Sequence, residues 1–287
     1  MITRFAPSPT GHLHLGHLLN AIYVWQLARR AGGRVRLRIE DHDRERARPE
    51  FERSILDDLE WLGFTPDEPP IAAFRGGPCE GRQSDHPERF ENALARLDRD
   101  GRVYGCTCSR AQILRRTEGS TPSAARPAAA EDSAELRYDG FCRDRGLKPG
   151  PDVGTRVRLD PGVETFDDGM MGPQQQEPLA QCGDLLVRDR RGNWTYQLAV
   201  TVDDMVEEIT DVIRGRDLLA STGRQIQLAR LLGRATPPAF VHHPLVLGVD
   251  GEKLSKSRGD TALRELRAAG VSSFEVMALA ERATQSA

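Results

Sequence analysis

Apolar and polar positions along the chain follow two periods. Over residues 15–30, Leu18, Leu19, Ile22, Trp25 and Leu27 recur near helical spacing, which predicts an amphipathic helix. Residues 35–39, Val-Arg-Leu-Arg-Ile, alternate apolar and charged as a half-buried strand does. Arg4-Phe5-Ala6-Pro7 predicts a short strand running into a Pro-rich turn. The order strand, turn, helix, strand is the opening of a parallel α/β sheet. Pro49 then starts a helix carrying Phe51, Ile55, Leu56, Leu59 and Leu62, closed by Gly63.

The pattern changes over residues 105–150, which hold three of the five cysteines. Residues 117–134 are rich in Ala, Ser, Thr and Pro without periodicity and are expected to form a flexible surface loop. Strands are expected at 156–159 and 184–188 as parts of an inserted region. Residues 196–203 return to core-like sequence, 208–212 read as a strand, and 222–232 as an amphipathic helix ended by Gly233. Two further helices are expected at 262–269 and 273–282. The division that follows is 1–104 as the first half of a sheet domain, 105–183 as an inserted module, 184–234 as the second half, and 235–287 as a loop with C-terminal helices.

A chain of 287 residues can bury one full core and carry a smaller module. A net charge of -3 and a pI near 6.2 do not announce nucleic-acid binding, so an RNA site must be a local basic patch. The candidates are Arg29, Arg30, Arg34 and Arg36, or Arg110, Arg115 and Arg116. Met1-Ile2-Thr3-Arg4 starts no signal peptide, and no apolar run approaches the roughly 20 residues needed to span a bilayer. The expectation is a soluble cytoplasmic monomer without a membrane partner, its cysteines reduced or holding a metal.

The chemistry concentrates in four places. Pro7-Ser8-Pro9-Thr10-Gly11-His12-Leu13-His14-Leu15-Gly16-His17 sits where the first strand turns into the first helix. Glycines there let backbone and ligand approach closely, and a helix N-terminus offers unpaired N–H groups and positive potential to phosphate. His14 and His17, three apart, fall on one face of the first turn and can donate to phosphate oxygens as charge develops. Helix capping or an adventitious metal site are the other uses of such a pair. Near the far end, Lys253-Leu254-Ser255-Lys256-Ser257 follows the turn signal Asp250-Gly251. Two compact ammonium groups there suit a leaving pyrophosphate.

Glu40, in Arg38-Ile39-Glu40-Asp41 at the end of the second strand, is placed to hold an ammonium. Arg4 and Arg214 each offer a planar fork for a carboxylate, and Tyr196 lies upstream of Asp203-Asp204. One acid with two arginines suits an amino acid that carries a second carboxylate. Cys106, Cys108 and Cys142 supply three corners of a tetrahedral zinc site. Tyr138, Asp139 and Asp144 compete for the fourth.

The histidine and lysine motifs, in this order and this far apart, resemble the HIGH and KMSKS motifs of class I aminoacyl-tRNA synthetases. With residues 4–11, Arg38-Ile39-Glu40-Asp41 and Ile213-Arg214-Gly215 added, the chain resembles the glutamyl-tRNA synthetases from Thr3 to about Gly259. A short core bearing Cys-x-Cys and Tyr-x-x-x-Cys is similar to the glutamyl-Q tRNA(Asp) synthetase family. That family attaches glutamate to the queuosine base at the wobble position of tRNA(Asp). The resemblance implies a Rossmann-type catalytic domain with an inserted zinc-binding, acceptor-like module, a short helical C-terminus and no anticodon-binding domain.

It also implies L-glutamate, ATP with Mg²⁺, and queuosine-containing tRNA(Asp) as substrates. Arg4, Phe5, Ala6, Pro7, Ser8, Glu40, Tyr196 and Arg214 would contact glutamate. His14, Gly16, His17, Lys253, Ser255 and Lys256 would contact ATP, with His14, His17, Lys253 and Lys256 catalytic. Cys106, Cys108, Tyr138 and Cys142 would hold one structural zinc. The alternatives are a truncated conventional glutamyl-tRNA synthetase, a non-catalytic synthetase remnant, and a nucleotidylyltransferase. Leu254 stands where the consensus has Met, an apolar exchange.

Overall fold

The computed structural model describes residues 1–118, 136–246 and 261–285. The expected strand, helix and strand are β1 (Ile2–Phe5), α1 (Leu15–Arg30) and β2 (Arg34–Leu37), and β1 pairs with β2 in parallel register. The ladder continues beyond the strands: Arg38 N–H donates to Phe5 O (3.0 Å) and Glu40 N–H to Pro7 O (3.1 Å). These two bonds bring residues 4–8 and Glu40 to the same place. α2 (Pro49–Leu62) has Pro at its start and Gly63 at φ 76° after its end, where a side chain would strain the backbone.

The sequence pattern did not reveal α3 (Ile71–Arg75) or α4 (Pro87–Arg99). Next come β3 (Val103–Cys106), α5 (Arg110–Glu118), β4 (Gly154–Val157), β5 (Glu164–Asp168), β6 (Gly172–Gln176), α6 (Pro178–Cys182) and β7 (Leu185–Arg188). β3, β4 and β7 form a three-stranded antiparallel sheet, so this sheet includes Val103 and residues 185–188 from outside the expected insert edges. Of the expected loop at 117–134, Thr117 and Glu118 end α5; the remainder lies outside the described residues.

α7 (Tyr196–Val206) precedes β8 (Asp211–Gly215), α8 (Thr222–Leu231) and β9 (Ala239–His243). The strand expected at 208–212 begins three residues later. Glu208 takes a left-handed φ of 54° to end α7, and Ile209 N–H still donates to Asp204 O at 3.0 Å. β8 pairs in parallel with β9, and β9 with β5, which also pairs with β6. Thr210 N–H donates to Ile2 O (2.9 Å) and Ile2 N–H to Thr210 Oγ1 (2.8 Å), so β1 runs beside β8. The spatial order is therefore β2-β1-β8-β9-β5-β6, and the C-terminal ends of β1, β2 and β8 open on one side.

α9 (Leu263–Ala268) and α10 (Ser273–Gln285) return to the main core. Leu263, Val276 and Ala280 join Phe5, Leu18, Ile22, Val35, Ile55 and Leu59 in one buried cluster. Each of the leucine, isoleucine, valine and phenylalanine side chains contributes about 1.5–3 kcal/mol on burial. Leu263 N–H donates to Leu13 O at 2.8 Å, which ties the chain after the lysine motif to the loop before His14.

Asp58 on α2 is fully buried beneath these helices, with Arg267 at 3.4 Å. Burial pushes its carboxyl up to about 6. A carboxyl raised on folding destabilises the fold above that pH, and the penalty fades as pH falls toward the unfolded value. Asp58→Asn is expected to raise the melting temperature at pH 8, by about 1–2 kcal/mol of stability after discounting screening, and to leave it unchanged at pH 4. Equal shifts in thermal melts at both pH values would contradict this account.

Candidate active site

A cavity of about 380 Å³ opens at the C-terminal ends of β1, β2 and β8, within the range of small-molecule sites. Arg4, Phe5, Ala6, Pro7, Ser8, Glu40, Tyr196 and Arg214 all line it, together with His17 from the phosphate motif. Thr10 of the same motif and Asp43 also line it, as do Asn20, His42, Arg46 and Leu218, which were not singled out from the sequence.

Beneath the cavity lies a buried charge network. Arg38, 1% exposed, donates to Glu40 (3.1 Å), Asp204 (2.8 Å) and Glu207 (3.0 Å). Arg4 Nε donates to Asp204 at 2.9 Å. Gln83 and Arg89 hold Asp203 at 2.8 and 3.3 Å. Burial alone would push the Asp204 carboxyl up; Arg4 and Arg38 overcome it and hold the group below the usual carboxylate range. Such a network adds little net stability but fixes each member in place, because any unpaired charge there is costly. Asp204 thereby joins Arg4 to Arg38, and Arg38 in turn orients Glu40.

Arg214 differs from Arg4 and Arg38. It is 3% exposed, yet its partners are neutral: His242 Nε2 (3.0 Å), Gln225 Oε1 (2.8 Å) and Thr222 Oγ1 (2.9 Å). Among the described residues no carboxylate forms an ion pair with it. A buried cation without an anion, lining a cavity, calls for an anionic ligand. Burial lowers the Arg214 pKa and raises that of the Tyr196 phenol beside it.

The two motif histidines take both roles open to them. His14 is the N-cap of α1: Gly16 N–H donates to His14 Nδ1 (3.1 Å), and His14 N–H donates to His17 Nδ1 (3.2 Å). With both Nδ1 atoms accepting, the ring protons sit on Nε2. Capping thus selects the tautomer that can donate to an oxyanion. The first turn of α1 carries no acidic residue, unlike α2 with Glu50 and Glu52, so its positive end is not already compensated. His17 lines the cavity; His14 is buried behind it, the ring centroids 3.9 Å apart. Gly16 serves the cap as well, since a Cβ there would lie 2.9 Å from His14 Cε1. Lys253, Ser255 and Lys256 lie outside the described residues.

In the antiparallel module the sulfurs of Cys106, Cys108 and Cys142 lie within 4.8 Å of one another. Cys108 and Cys142 are 3.6 Å apart, close to the edge of about 3.8 Å expected for tetrahedral metal–sulfur bonds of about 2.3 Å. Tyr138 Oη lies 3.6 Å from Cys106 Sγ and accepts the Cys142 N–H at 2.7 Å. Asp139 instead pairs with Arg116, and exposed Asp144 with Arg158. The donor set therefore fits a zinc-like ion, with Tyr138 rather than either aspartate beside the thiols. Cys182 donates to Pro178 O (3.1 Å) and Cys79 is buried apart.

The expected basic patches are weaker than their sequence suggests. Arg29, Arg34 and Arg36 are drawn into ion pairs with Asp67, Glu68 and Glu80. Arg110 instead joins Arg190 and Arg191 along a second cleft of about 400 Å³ beside Cys106 and Cys108. Among the described residues no helix is long and apolar enough to cross a membrane.

Comparison with known proteins places the whole chain. Residues 1–286 match the family described as tRNA synthetases class I (E and Q), catalytic domain. The glutamyl-Q tRNA(Asp) synthetase of Nitratidesulfovibrio vulgaris is 42% identical over 279 residues, covering 93% of this chain and 81% of that protein. The glutamyl-Q tRNA(Asp) synthetase of Rhodobacter capsulatus is 40% identical over 291 residues, covering 97% and 99%. The crystal structure of glutamate-tRNA synthetase from Elizabethkingia anophelis superposes with a TM-score of 0.70 at 29% identity. The match covers 91% of this chain but only 53% of that one, so the chain spans about half the length of that solved relative.

Proposed function

The chain belongs to the class I tRNA synthetases of the E and Q group, and from that footing we propose that it is an ATP-dependent ligase that activates L-glutamate and transfers it to the queuosine base of tRNA(Asp). The observation that carries this reading is the single cavity gathering Arg4, Ser8, Glu40, Tyr196, Arg214 and His17. Glu40 receives the ammonium group. Arg214, buried without an anionic partner, receives the side-chain carboxylate, with Tyr196 beside it. Arg4 lies across the pocket on β1, toward the α-carboxylate.

The α-carboxylate oxygen attacks the α-phosphorus of ATP in line, and the bond to the β-phosphate oxygen breaks to release pyrophosphate. No protein nucleophile is needed, because positioning and charge stabilisation do most of the work in such transfers. His14 and His17, aided by the open end of α1, donate to the phosphate oxygens. Lys253, Ser255 and Lys256 take the leaving pyrophosphate. Mg²⁺ bound with the nucleotide offsets phosphate charge. A hydroxyl of the queuosine cyclopentene ring then attacks the glutamyl adenylate, forming an ester and releasing AMP.

Zinc held by Cys106, Cys108, Tyr138 and Cys142 would be structural, since protein groups take all four positions. One equivalent per chain is expected in purified reduced protein; elemental analysis giving less than about half an equivalent would count against it. The function is tested by transfer of labelled glutamate, with ATP, to matched tRNA(Asp) with and without queuosine. Transfer confined to the queuosine form is the expected result. Transfer to both forms, lost on removing the terminal adenosine, would establish 3′-end charging instead, a reading favoured by the likeness to glutamate-tRNA synthetase.

A further inference from the structure

Arg214 is not held by the usual carboxylate. Its Nε–H donates to His242 Nε2 at 3.0 Å, and His242 Nδ1 lies 2.6 Å from Asp168 Oδ2. Both side chains of the His242–Asp168 pair are 0% exposed. Three separate strands supply this line of groups, Asp168 from β5, His242 from β9 and Arg214 from β8, in the order in which the sheet places them. Asp168 and His242 do not line the cavity that Arg214 faces, and the reaction described above gives neither of them a role.

The proton positions follow from the donors present. Two donors converge on His242 Nε2: the Arg214 Nε–H, and the hydroxyl of Thr222 at 3.2 Å, whose oxygen already accepts from Arg214 Nη2. Nε2 must therefore be the bare nitrogen and Nδ1 the protonated one, donating to Asp168. The other oxygen of Asp168 is pinned by three backbone N–H groups, those of Met170 (3.0 Å), Met171 (2.9 Å) and His242 (3.2 Å). Burial and the nearby Arg214 cation push the imidazole down to about 4, which keeps it neutral at working pH.

This arrangement solves a specific problem. A carboxylate placed directly on Arg214 would orient the guanidinium but cancel its charge, and the pocket would lose its attraction for an anionic substrate. A neutral imidazole orients it through a lone pair and leaves the charge whole. We propose that Asp168 and His242 are positioning residues that fix the Arg214 guanidinium as an uncompensated receptor for the substrate's side-chain carboxylate, and so set the preference for glutamate over glutamine. The inference rests on the glutamate-activating reading of this cavity.

Asp168→Asn tests it with an isosteric change. The three backbone donors hold the amide oxygen in the Oδ1 position, so the amide NH₂ faces His242 Nδ1. The imidazole must then carry its proton on Nε2, donor against donor with Arg214; an Asp→Asn exchange beside a histidine is known to invert the tautomer in this way. In glutamate-dependent ATP–pyrophosphate exchange, Asp168→Asn is expected to raise the KM for glutamate about 10–100-fold, the scale of an orienting-partner loss. kcat and the KM for ATP should move less than about threefold, and discrimination against glutamine should fall. In ¹⁵N spectra of histidine-labelled wild-type protein, the signal lost in His242→Ala should show a bare Nε2 and a protonated Nδ1.

A wild-type His242 protonated on Nε2 would overturn the proposal. So would an Asp168→Asn glutamate KM within twofold of wild type, or a rise matched by the KM for ATP and a falling melting temperature, the mark of a purely structural role. Wild-type protein that exchanges pyrophosphate with no amino acid would overturn the reading of the cavity itself, and the ¹⁵N spectrum, read without substrate, keeps the two failures distinct.

Discussion

Arg214→Gln is expected to raise the KM for glutamate by about 30- to 10³-fold. Removing one member of a buried charge-assisted pair costs about 2–4 kcal/mol, and each 1.4 kcal/mol is tenfold. The estimate applies here because Arg214 is buried, faces the cavity and meets only neutral acceptors within the protein. Glutamine at this position keeps an amide that can bond to Gln225 and Thr222, so the loss should report the missing cation rather than a collapsed wall. The KM for ATP should hold. Pyrophosphate exchange over a glutamate titration is the measurement, with glutamine as the competing substrate. A KM within threefold of wild type would remove Arg214 from the substrate site. The same change at Arg4 should be less selective, because Arg4 is also a member of the Asp204–Arg38 network and its loss would leave Asp204 short of a partner.

Lys256→Ala is expected to lower kcat for glutamate activation by about 10²–10³, the cost of removing one oriented donor from a transition state. The glutamate KM should change little, since the lysine acts on the phosphates. The two variants therefore separate along different axes, one in KM and one in kcat. The described residues on either side of the motif lie near the site: Val246 follows β9, whose neighbour β8 carries Arg214, and Leu263 is bonded to Leu13 beside the histidine cap. Near-normal activation by Lys256→Ala would sink the assignment of the lysine motif. A loss in glutamate affinity with kcat intact would move the lysine from the phosphates to the amino acid.

Much of the site was legible in the chain itself, and for local reasons. A helix start, a Pro-rich turn and a glycine stop are decided within a few residues by backbone sterics and unpaired N–H groups, so α1 and α2 stand where their patterns predict. The motif spacing likewise brought out residues that line the cavity, because β1 and β2 are joined by a single helix and their ends are held together by two backbone bonds. The thiol pair and the Tyr-x-x-x-Cys turn are each set by local spacing, and the fold brings their three sulfurs within 4.8 Å of one another.

What tertiary structure alone decided is which charges meet. Arg4 and Asp204 are 200 residues apart, Arg38 and Glu207 169, and His242 and Asp168 74. No periodicity links such positions. They become neighbours only when β1 takes its place beside β8, and β9 beside both β8 and β5. In the chain Asp203 and Asp204 are only an acidic pair downstream of Tyr196; the fold makes them buried partners of arginines. Arg29, Arg34 and Arg36 read as a candidate RNA patch, and the fold neutralises them with acids from the turn after α2 and the segment after α3. Residue type and local spacing determined what chemistry this chain can perform. Burial and strand order, which set the cost of every unpaired charge, decided which side chains orient that chemistry.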